Sequence, residues 1–491
     1  MSPYLLTIFT ELIAALAAFV AVNWIYFKIL RISKEKNLVD KPNARKLQNQ
    51  PIPVLGGHVV FFGIVFGLLT GYAVGGIIGV DFQVQLLPLL AVMVVMLYIG
   101  TVDDMQGLSP TIRLIIEVIS MLCLIYASGS CIDTFHGLWG IESFTWWLAV
   151  PLTVFAGVGI INAVNMIDGV NGLCSTLCML CSVLYGIIFL RASDVANAVL
   201  AFSVAASLFP FIVHNVFGLR SRMYIGDSGT MVMGMLVTWF TISFLRSDSP
   251  VSYYYQDRSA SLIAFAIAVL CVPVFDTIRV MMQRVLNGRN PMQADKTHLH
   301  HAFLNVGVSH FVTTFIEVSI VVVVVAVWLV CNQIGFPGEW QLYVVLFLSL
   351  LLVWGTYGWI NMHARRHTEF LHRIVAFNIQ THLGRTHWWK RITAWLDAPE
   401  GAPVDQLEKE TSPYVAPHPI PDDPTDLKEL DRKRVLDFMR GRAEVLVIDI
   451  IRNSGANRLR IYSILYEEEQ SGRLRVIRRS SMGGPEIVAL N

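Results

Sequence analysis

The stretch VTTFIEVSIVVVVVAVWLVCN, residues 312–332, contains one charged side chain, Glu317. An α-helix needs about 20 predominantly apolar residues to cross the hydrocarbon core of a bilayer, so this stretch predicts a membrane-spanning helix. The rest of the chain is similar in composition: 54% of its 491 residues are hydrophobic and 15% are charged. An ordinary soluble domain has about 25% charged residues, so the composition excludes a protein that is soluble throughout.

Further stretches of the same kind lie on both sides of the first. They occupy approximately residues 4–27, 54–76, 85–102, 111–129, 144–160, 172–190, 195–214, 229–245, 261–281 and 341–361. Together they predict an all-α polytopic membrane protein with about eleven transmembrane helices. The first stretch lacks a basic flank and a small-residue cleavage site, so we expect a retained helix and not a removed signal peptide.

The basic residues between these spans are distributed unevenly. Alternate loops contain most of them: Lys28, Arg31, Lys34, Lys36, Lys41, Arg45, Lys46, Arg113, Arg220, Arg222, Arg284, Arg289 and Lys296. The positive-inside rule assigns these loops to the cytoplasm, which leaves the N-terminus external and the C-terminus cytoplasmic. The net charge of +1 gives no reason to expect nucleic acid as a partner.

The chain beyond the last span divides into segments of different composition. We expect a membrane domain at residues 1–362 and, at 363–397, an amphipathic segment along the lipid headgroups, because it is rich in Arg, His and Trp. Prolines make residues 398–425 a semi-rigid linker. Residues 426–491 predict a small cytoplasmic α+β module with a helix at Asp426–Arg440 and strands at VLVIDI, LRIYSILY, LRVIRR and EIVAL.

Two adjacent carboxylates, Asp103 and Asp104, stand where the third span leaves the membrane. Such a pair costs free energy at a bilayer boundary unless a cation or a proton compensates it, so it is a candidate metal or acid/base site. The alternative is that the two residues only cap the next helix, which begins near Ser109 and Pro110.

A second polar motif interrupts the apolar pattern at residues 162–173, NAVNMIDGVNGL. Its polar residues Asn162, Asn165, Asp168 and Asn171 recur every three positions, which predicts roughly one face of a helix. A purely capping role in turns is the alternative. Asp227 follows in a glycine-flanked turn, YIGDSG, and converging carboxylates of Asp103, Asp104 and Asp227 would offer the oxygen ligands that Mg²⁺ prefers.

The last basic loop concentrates cations and imidazoles. It contains Arg284, Arg289, Lys296, His298, His300 and His301. Facing an acidic magnesium site, these groups predict a clamp for a diphosphate. The histidines could instead bind zinc, although no cysteine accompanies them, or could anchor the loop to lipid headgroups.

Taken together, the motifs show a resemblance that spans residues 37 to 310. In this range the chain resembles the polyprenyl-phosphate N-acetylhexosamine-1-phosphate transferases, membrane enzymes that start the assembly of bacterial surface polysaccharides. The matching pieces are Asp40-Lys-Pro-Asn-Ala-Arg45-Lys46, Pro53-Val-Leu-Gly56-Gly57, Asp103-Asp104, NAVNMIDGVNGL, Gly226-Asp227-Ser228-Gly229 and His298-Leu-His300-His301. The His-x-His-His form looks more like the branch that transfers N-acetylglucosamine-1-phosphate than the branch that transfers phospho-muramoyl-pentapeptide.

The resemblance implies a reaction and a set of site residues. Undecaprenyl phosphate would attack a UDP-N-acetylhexosamine in the bacterial inner membrane and release UMP, with Mg²⁺ as the cofactor. Asp103, Asp104 and Asp168 would be catalytic, and Asp104 and Asp227 would bind the metal. Substrate would be bound by Arg45, Asn165, Asn171, Arg289, Lys296, His298, His300 and His301. Many bacterial members have Asp where this chain has Asn171, so hydrogen bonding is expected there and not proton chemistry.

Two other function classes remain as alternatives. Intramembrane Asp and Asn side chains also occur along the ion paths of transporters, where they favour the bilayer midplane. A membrane anchor for the C-terminal module is the other alternative. Membrane lipids are expected partners in every case, and the sequence leaves a homodimer open.

Overall fold

The computed structural model describes residues 3–40, 51–79, 86–291, 297–366, 386–400 and 424–490, with short gaps at 443, 455, 457 and 480–484. The described α-helices between residues 3 and 366 are α1 Pro3–Glu35, α2 Gly56–Ile78, α3 Leu86–Gln106, α4 Pro110–Ser128, α5 Trp146–Met166, α6 Leu173–Arg191, α7 Val195–Phe217, α8 Gly226–Leu245, α9 Pro250–Tyr254, α10 Ser261–Val269, α11 Cys271–Leu286, α12 Leu299–Asn305, α13 His310–Gln333, α14 Gly338–Leu350 and α15 Thr356–Arg366. A π-helical turn, Leu351–Gly355, joins the last two.

Within the described residues, ten helical segments are long and apolar enough to cross a membrane, and the bent pair α10 and α11 raises the number to eleven. The predicted all-α polytopic architecture is therefore confirmed. Antiparallel strands β1 Val39–Asp40 and β2 Ile52–Pro53 flank the segment that contains Arg45, which lies outside the described residues.

The span predicted at 261–281 is not one straight helix. Helices α10 and α11 meet at an angle of 73°. Pro273 has no N–H with which to bond the carbonyl of Val269, and its ring crowds that carbonyl, so the helical ladder breaks there. The thiol of Cys181 donates to the Val269 carbonyl oxygen at 3.8 Å. The break gives α11 its own direction.

Helix α8 forms the centre of the bundle, and the most apolar part of it is entirely buried. Glycines let the neighbouring helices approach its first turn closely. A Cβ atom on Gly100 of α3 would lie 2.4 Å from the Cα of Ser228, and one on Gly57 of α2 would lie 2.3 Å from the nitrogen of Gly229. Only glycine permits such contacts. They bring the end of α3 against the start of α8.

The short connections define two ends of the bundle. We call the site end the one at which α3, α5 and α7 finish and α4, α6 and α8 begin, and the far end the opposite one. Helix α16, His387–Asp397, packs against the connection from α7 to α8 at the site end. The buried carboxylate of Asp397 accepts hydrogen bonds from the backbone N–H groups of Leu219, Arg220 and Ser221 at 2.9–3.2 Å.

The described C-terminal residues form a second compact unit. It contains α17 Pro424–Met439, α18 Val447–Asn453 and α19 Arg458–Gln470 with an antiparallel sheet of β3 Val445–Leu446, β5 Pro485–Leu490 and β4 Leu474–Arg479, in that spatial order. The first helix and the strands at LRVIRR and EIVAL match the prediction. The strand predicted at LRIYSILY is wrong, and VLVIDI is mostly helix. Ile461, Ile464 and Leu465 recur at helical spacing and all lie in the unit's core.

Candidate active site

The carboxylate of Asp104, in the last turn of α3, holds the first turn of α8. Its Oδ1 accepts from the backbone N–H of Asp227 at 2.8 Å, and its Oδ2 accepts from that of Ser228 at 3.1 Å. The first N–H groups of a helix have no partner within the helix and form its positive end. Asp104 therefore caps α8 from another helix and fixes the backbone that carries Asp227.

The side chain of Asp227 is held but remains accessible. Asn165, near the end of α5, donates through Nδ2 to Asp227 Oδ1 and to Thr230 Oγ1, at 2.6 Å in both cases. The guanidinium of Arg113 lies 3.7 Å from the same Asp227 oxygen, and 38% of the Asp227 side chain is exposed. Asp227 thus combines a fixed position with access from outside the protein.

Arg113, predicted from the sequence only as a basic residue of a cytoplasmic loop, lies between two of the predicted site carboxylates. Its Nη1 is 3.5 Å from Asp103 Oδ2 and 3.7 Å from Asp227 Oδ1. Its Nη2 is buried and has no hydrogen-bond partner among the described residues. A guanidinium with an unused donor beside carboxylates can bind a phosphoryl oxygen.

Two further contacts orient Arg113 and Asp103. The buried carboxylate of Glu117 accepts from Arg113 Nε at 3.1 Å and also from Asn162 of α5. Asp103 Oδ1 accepts from the backbone N–H of Leu108 at 2.6 Å, which closes the turn between α3 and α4. Arg113 and Glu117 could have been recognised from the sequence by their i,i+4 spacing in an apolar span, where ionisable residues mark functional sites.

The prediction that residues 162–171 form one helical face is only half correct. Helix α5 ends at Met166, so Asn162 and Asn165 share a helix while Asp168 and Asn171 lie in the turn that follows. Gly172 has a φ of +78°, a conformation that favours glycine and does not continue a helix. The turn directs Asp168 toward the carboxylates of α3 and α8.

Asp168 completes a group of like charges at the site end. Part of the surface of Asp168 is exposed, although protein atoms surround its carboxyl group. Loss of hydration among the surrounding protein atoms, together with the negative charges of Asp227 and Asp104, raises the pKa of the Asp168 carboxyl to about 8. Like-charged carboxylates raise one another's pKa, and a bound cation relieves that repulsion.

The donor chemistry of this group fits Mg²⁺. In the described part of the chain, no three Asp, Glu, His or Cys side chains form a complete set of metal ligands. Magnesium usually takes only one or two protein carboxylates and completes its octahedral shell with water and substrate phosphates. Asp227 and Asp168 would supply such a partial set.

The histidines predicted to bind the donor lie at the start of α12 and not in an open loop. His298 and His300 are buried, and their rings stack with centroids 5.6 Å apart. His300 packs against Gly169, next to Asp168, since a Cβ there would lie 2.4 Å from His300 Nε2. Burial and the neighbouring charges of His301 and His298 lower the pKa of His300 well below its usual value, so this ring is neutral at pH 7.

The remaining predicted substrate-binding residues are not all part of this geometry. Arg289 is exposed in the turn after α11. Asn171 contributes backbone groups, with its N–H donating to His310 Nδ1 at 3.3 Å and its carbonyl accepting from Thr314 at 3.2 Å. Arg45 and Lys296 lie outside the described residues. Their predicted contacts with substrate stay predictions.

Comparison with known proteins identifies relatives of this chain. Residues 86–245 match the family described as Glycosyl transferase family 4. The chain is 27% identical over 381 residues to the undecaprenyl-phosphate alpha-N-acetylglucosaminyl 1-phosphate transferase of Escherichia coli (strain K12), a match that covers 75% of this chain and 95% of the relative. It is 25% identical over 351 residues to a probable undecaprenyl-phosphate N-acetylglucosaminyl 1-phosphate transferase of Bacillus subtilis (strain 168), covering 71% and 93%.

The matched region contains the carboxylates whose geometry is described above. Asp103, Asp104, Asp168 and Asp227 all fall between residues 86 and 245, as does Arg113. The resemblance seen in the sequence motifs is thereby confirmed. Residues 86–245 are thus similar to glycosyl transferase family 4, and they lie within a chain with ten or eleven candidate membrane-spanning helices among its described residues.

Proposed function

We propose that this protein transfers N-acetylglucosamine-1-phosphate from a UDP-sugar to undecaprenyl phosphate, releases UMP and so initiates a lipid-linked surface polysaccharide. The observation that carries the proposal is the group formed by Asp103, Asp168, Asp227 and Arg113 at one end of the helix bundle. Phosphoryl transfer depends mainly on positioning and charge neutralisation. The carboxylates can bind a metal ion and the guanidinium can bind phosphoryl oxygen, so this group can contribute to both. The names of the two relatives point to the same reaction.

The basic loops support a cytoplasmic location for the site end, in the bacterial inner membrane. A lipid phosphate and a water-soluble nucleotide can meet only at the membrane boundary, and the last turn of α3 and the first turn of α8 are the ends of two apolar candidate spans. The midplane location expected of a transporter's ion path does not match these carboxylates, because they lie at helix ends.

In the proposed reaction an oxygen of the lipid phosphate attacks the β-phosphorus of the UDP-sugar. A new P–O bond forms as the bond to the α-phosphate oxygen breaks, and UMP leaves with the electron pair. The second pKa of a phosphate monoester is about 6, so the acceptor is already largely dianionic and needs little help from a base. We therefore favour direct in-line attack over an aspartyl intermediate at Asp103.

The site residues have distinct roles in this proposal. Asp227 and Asp168 would hold Mg²⁺, which would neutralise the diphosphate of the donor. Asp104, which the sequence predicted as a metal ligand, is assigned a supporting role here because both of its oxygens accept backbone N–H groups at the start of α8. Arg113 binds phosphoryl oxygen through its unused donor while Asp103 and Glu117 keep it in place. His301 and the basic residues Arg289 and Lys296 are assigned to the donor.

The decisive test uses purified protein with undecaprenyl phosphate, Mg²⁺ and a panel of UDP-sugars, and it scores UMP release. We expect UMP with UDP-N-acetylglucosamine only when the lipid phosphate is present. Omission of the lipid is the control for hydrolysis of the donor. The absence of UMP with every donor would exclude the transferase, and recovery of a phosphorylated Asp103 after incubation with UDP-sugar alone would overturn the direct attack.

A further inference from the structure

A buried set of charges links α11 to the first turn of α12. Asp276 is 1% exposed, yet it lies in an apolar helix. Its Oδ1 accepts from Arg279 Nη2 at 2.7 Å, and its Oδ2 lies 2.8 Å from His298 Nδ1. An intramembrane ionic group is expensive and marks a functional site by default. The break at Pro273, one turn earlier, gives this part of α11 its direction.

The contacts of Asp276 determine the protonation of one ring nitrogen of His298. A carboxylate can only accept hydrogen bonds, so His298 Nδ1 carries the proton and donates it. This leaves Nε2 as the nitrogen that is available to another group, as an acceptor in the neutral ring and as a donor in the imidazolium. The tautomer and the plane of the ring therefore both depend on Asp276.

Asp276 and Arg279 also fix the backbone on both sides of His298. The N–H of Leu299 donates to both oxygens of Asp276, at 3.1 and 3.2 Å, and Arg279 Nη2 donates to the carbonyl of Thr297 at 2.6 Å. Arg279 is in turn held by the ring of Tyr357, 3.4 Å from its guanidinium carbon. Three successive residues are thus held by groups from elsewhere in the fold.

His298 is in ring contact with the rest of the site end. Its ring stacks on His300, which packs against Gly169 beside Asp168. A displacement of His298 would therefore be transmitted through His300 and Gly169 to the turn that carries Asp168. Asp276 itself has no contact with Asp103, Asp168 or Asp227 among the hydrogen bonds and ion pairs of the described residues.

We propose that Asp276, supported by Arg279, is a positioning residue that sets the tautomer and orientation of His298 for sugar-1-phosphate transfer. The inference rests on the proposed function. It adds a residue outside the region that matches the family, 86–245. Asp276 acts through His298 and does not touch substrate.

The test is a double-mutant cycle of Asp276→Asn and His298→Ala, read as kcat and KM for the UDP-sugar. Asn keeps the shape of Asp, but its amide N–H would face one of the N–H groups from which Asp276 accepts a hydrogen bond. We expect kcat to fall by about 10- to 100-fold, the range seen when a supporting partner of a site residue is lost. The double variant should be no slower than His298→Ala alone, because Asp276 has no role without that ring.

Asp194→Asn is the matched control, since Asp194 is also a buried aspartate that accepts a backbone N–H near a helix start, at the far end. It should keep normal kcat. Losses that multiply in the double variant, or a normal kcat in folded Asp276→Asn, would overturn the proposal. If Asp276→Asn does not yield folded protein, Asp276→Glu, which keeps the charge but moves the carboxylate, gives the same cycle. Wild type without UMP release would instead refute the proposed function.

Discussion

The carboxylates of Asp133 and Asp194 at the far end differ in their surroundings from the group formed by Asp104, Asp168 and Asp227 at the site end. At the far end, Asp194 accepts from the backbone N–H and side-chain amide of Asn197, three residues away, and Asp133 accepts from the backbone N–H and hydroxyl of Ser247. Each far-end carboxylate thus takes both of these bonds from one neutral residue. At the site end, Asp104, Asp168 and Asp227 repel one another.

The far-end carboxylates stabilise the fold, whereas the site-end carboxylates repel one another. Neutral donors around a single carboxylate stabilise a helix start or a turn. Several carboxylates in one place oppose folding unless a cation or substrate compensates them, so such a group persists for chemistry. Substitutions of equal size should therefore lower the rate of UMP release at the site end and the stability of the fold at the far end.

The largest effect is expected from Asp227→Asn. The amide keeps the volume and can still accept from Asn165, but it removes a charge from the proposed metal site. Loss of one electrostatic group at a reacting centre typically costs about 10²- to 10³-fold in kcat, and we expect at least that loss in UMP release. The midpoint of thermal unfolding in detergent should not fall, and relief of the repulsion with Asp104 and Asp168 should raise it. A variant with near-normal turnover and the same Mg²⁺ dependence would disprove the assignment.

A smaller effect on turnover is expected from Asp104→Asn. One of the two N–H groups at the start of α8 would face an amide donor, so the backbone that carries Asp227 would shift. We expect a loss of about 10- to 100-fold in turnover and a higher Mg²⁺ concentration at half-maximal rate. Asp133→Asn is the matched control, because Asp133 also accepts from a backbone N–H. Equal turnover in the two variants would contradict the comparison between the ends.

The smallest effect is expected from Asp194→Ala at the far end. This change removes the side chain that caps α7, which typically costs about 1 kcal/mol of stability. UMP release at low temperature should equal that of the wild type, while the midpoint of thermal unfolding falls. Asp194→Asn, which keeps an acceptor for the Asn197 backbone N–H, should have a higher midpoint than Asp194→Ala. A loss of turnover in folded Asp194→Ala would show that the ends are coupled.

The membrane architecture could be predicted from the sequence alone, and so could the list of candidate site carboxylates. Bilayer thickness sets the length of an apolar helix, so the spans could be counted from hydropathy alone. The motifs placed Asp103, Asp104, Asp168 and Asp227 in one family pattern. These are properties of short segments, and short segments can be interpreted without their neighbours.

Which of these groups meet depends on the packing of the helices against one another. Asp104 caps a helix that begins more than a hundred residues later, Arg113 lies between Asp103 and Asp227, and Asp276 bonds a histidine 22 positions away. The helix break at Pro273 and the close glycine contacts around α8 bring these partners together. Local sequence specifies the donors and acceptors, but their pairing depends on how closely whole helices pack, which no single segment encodes.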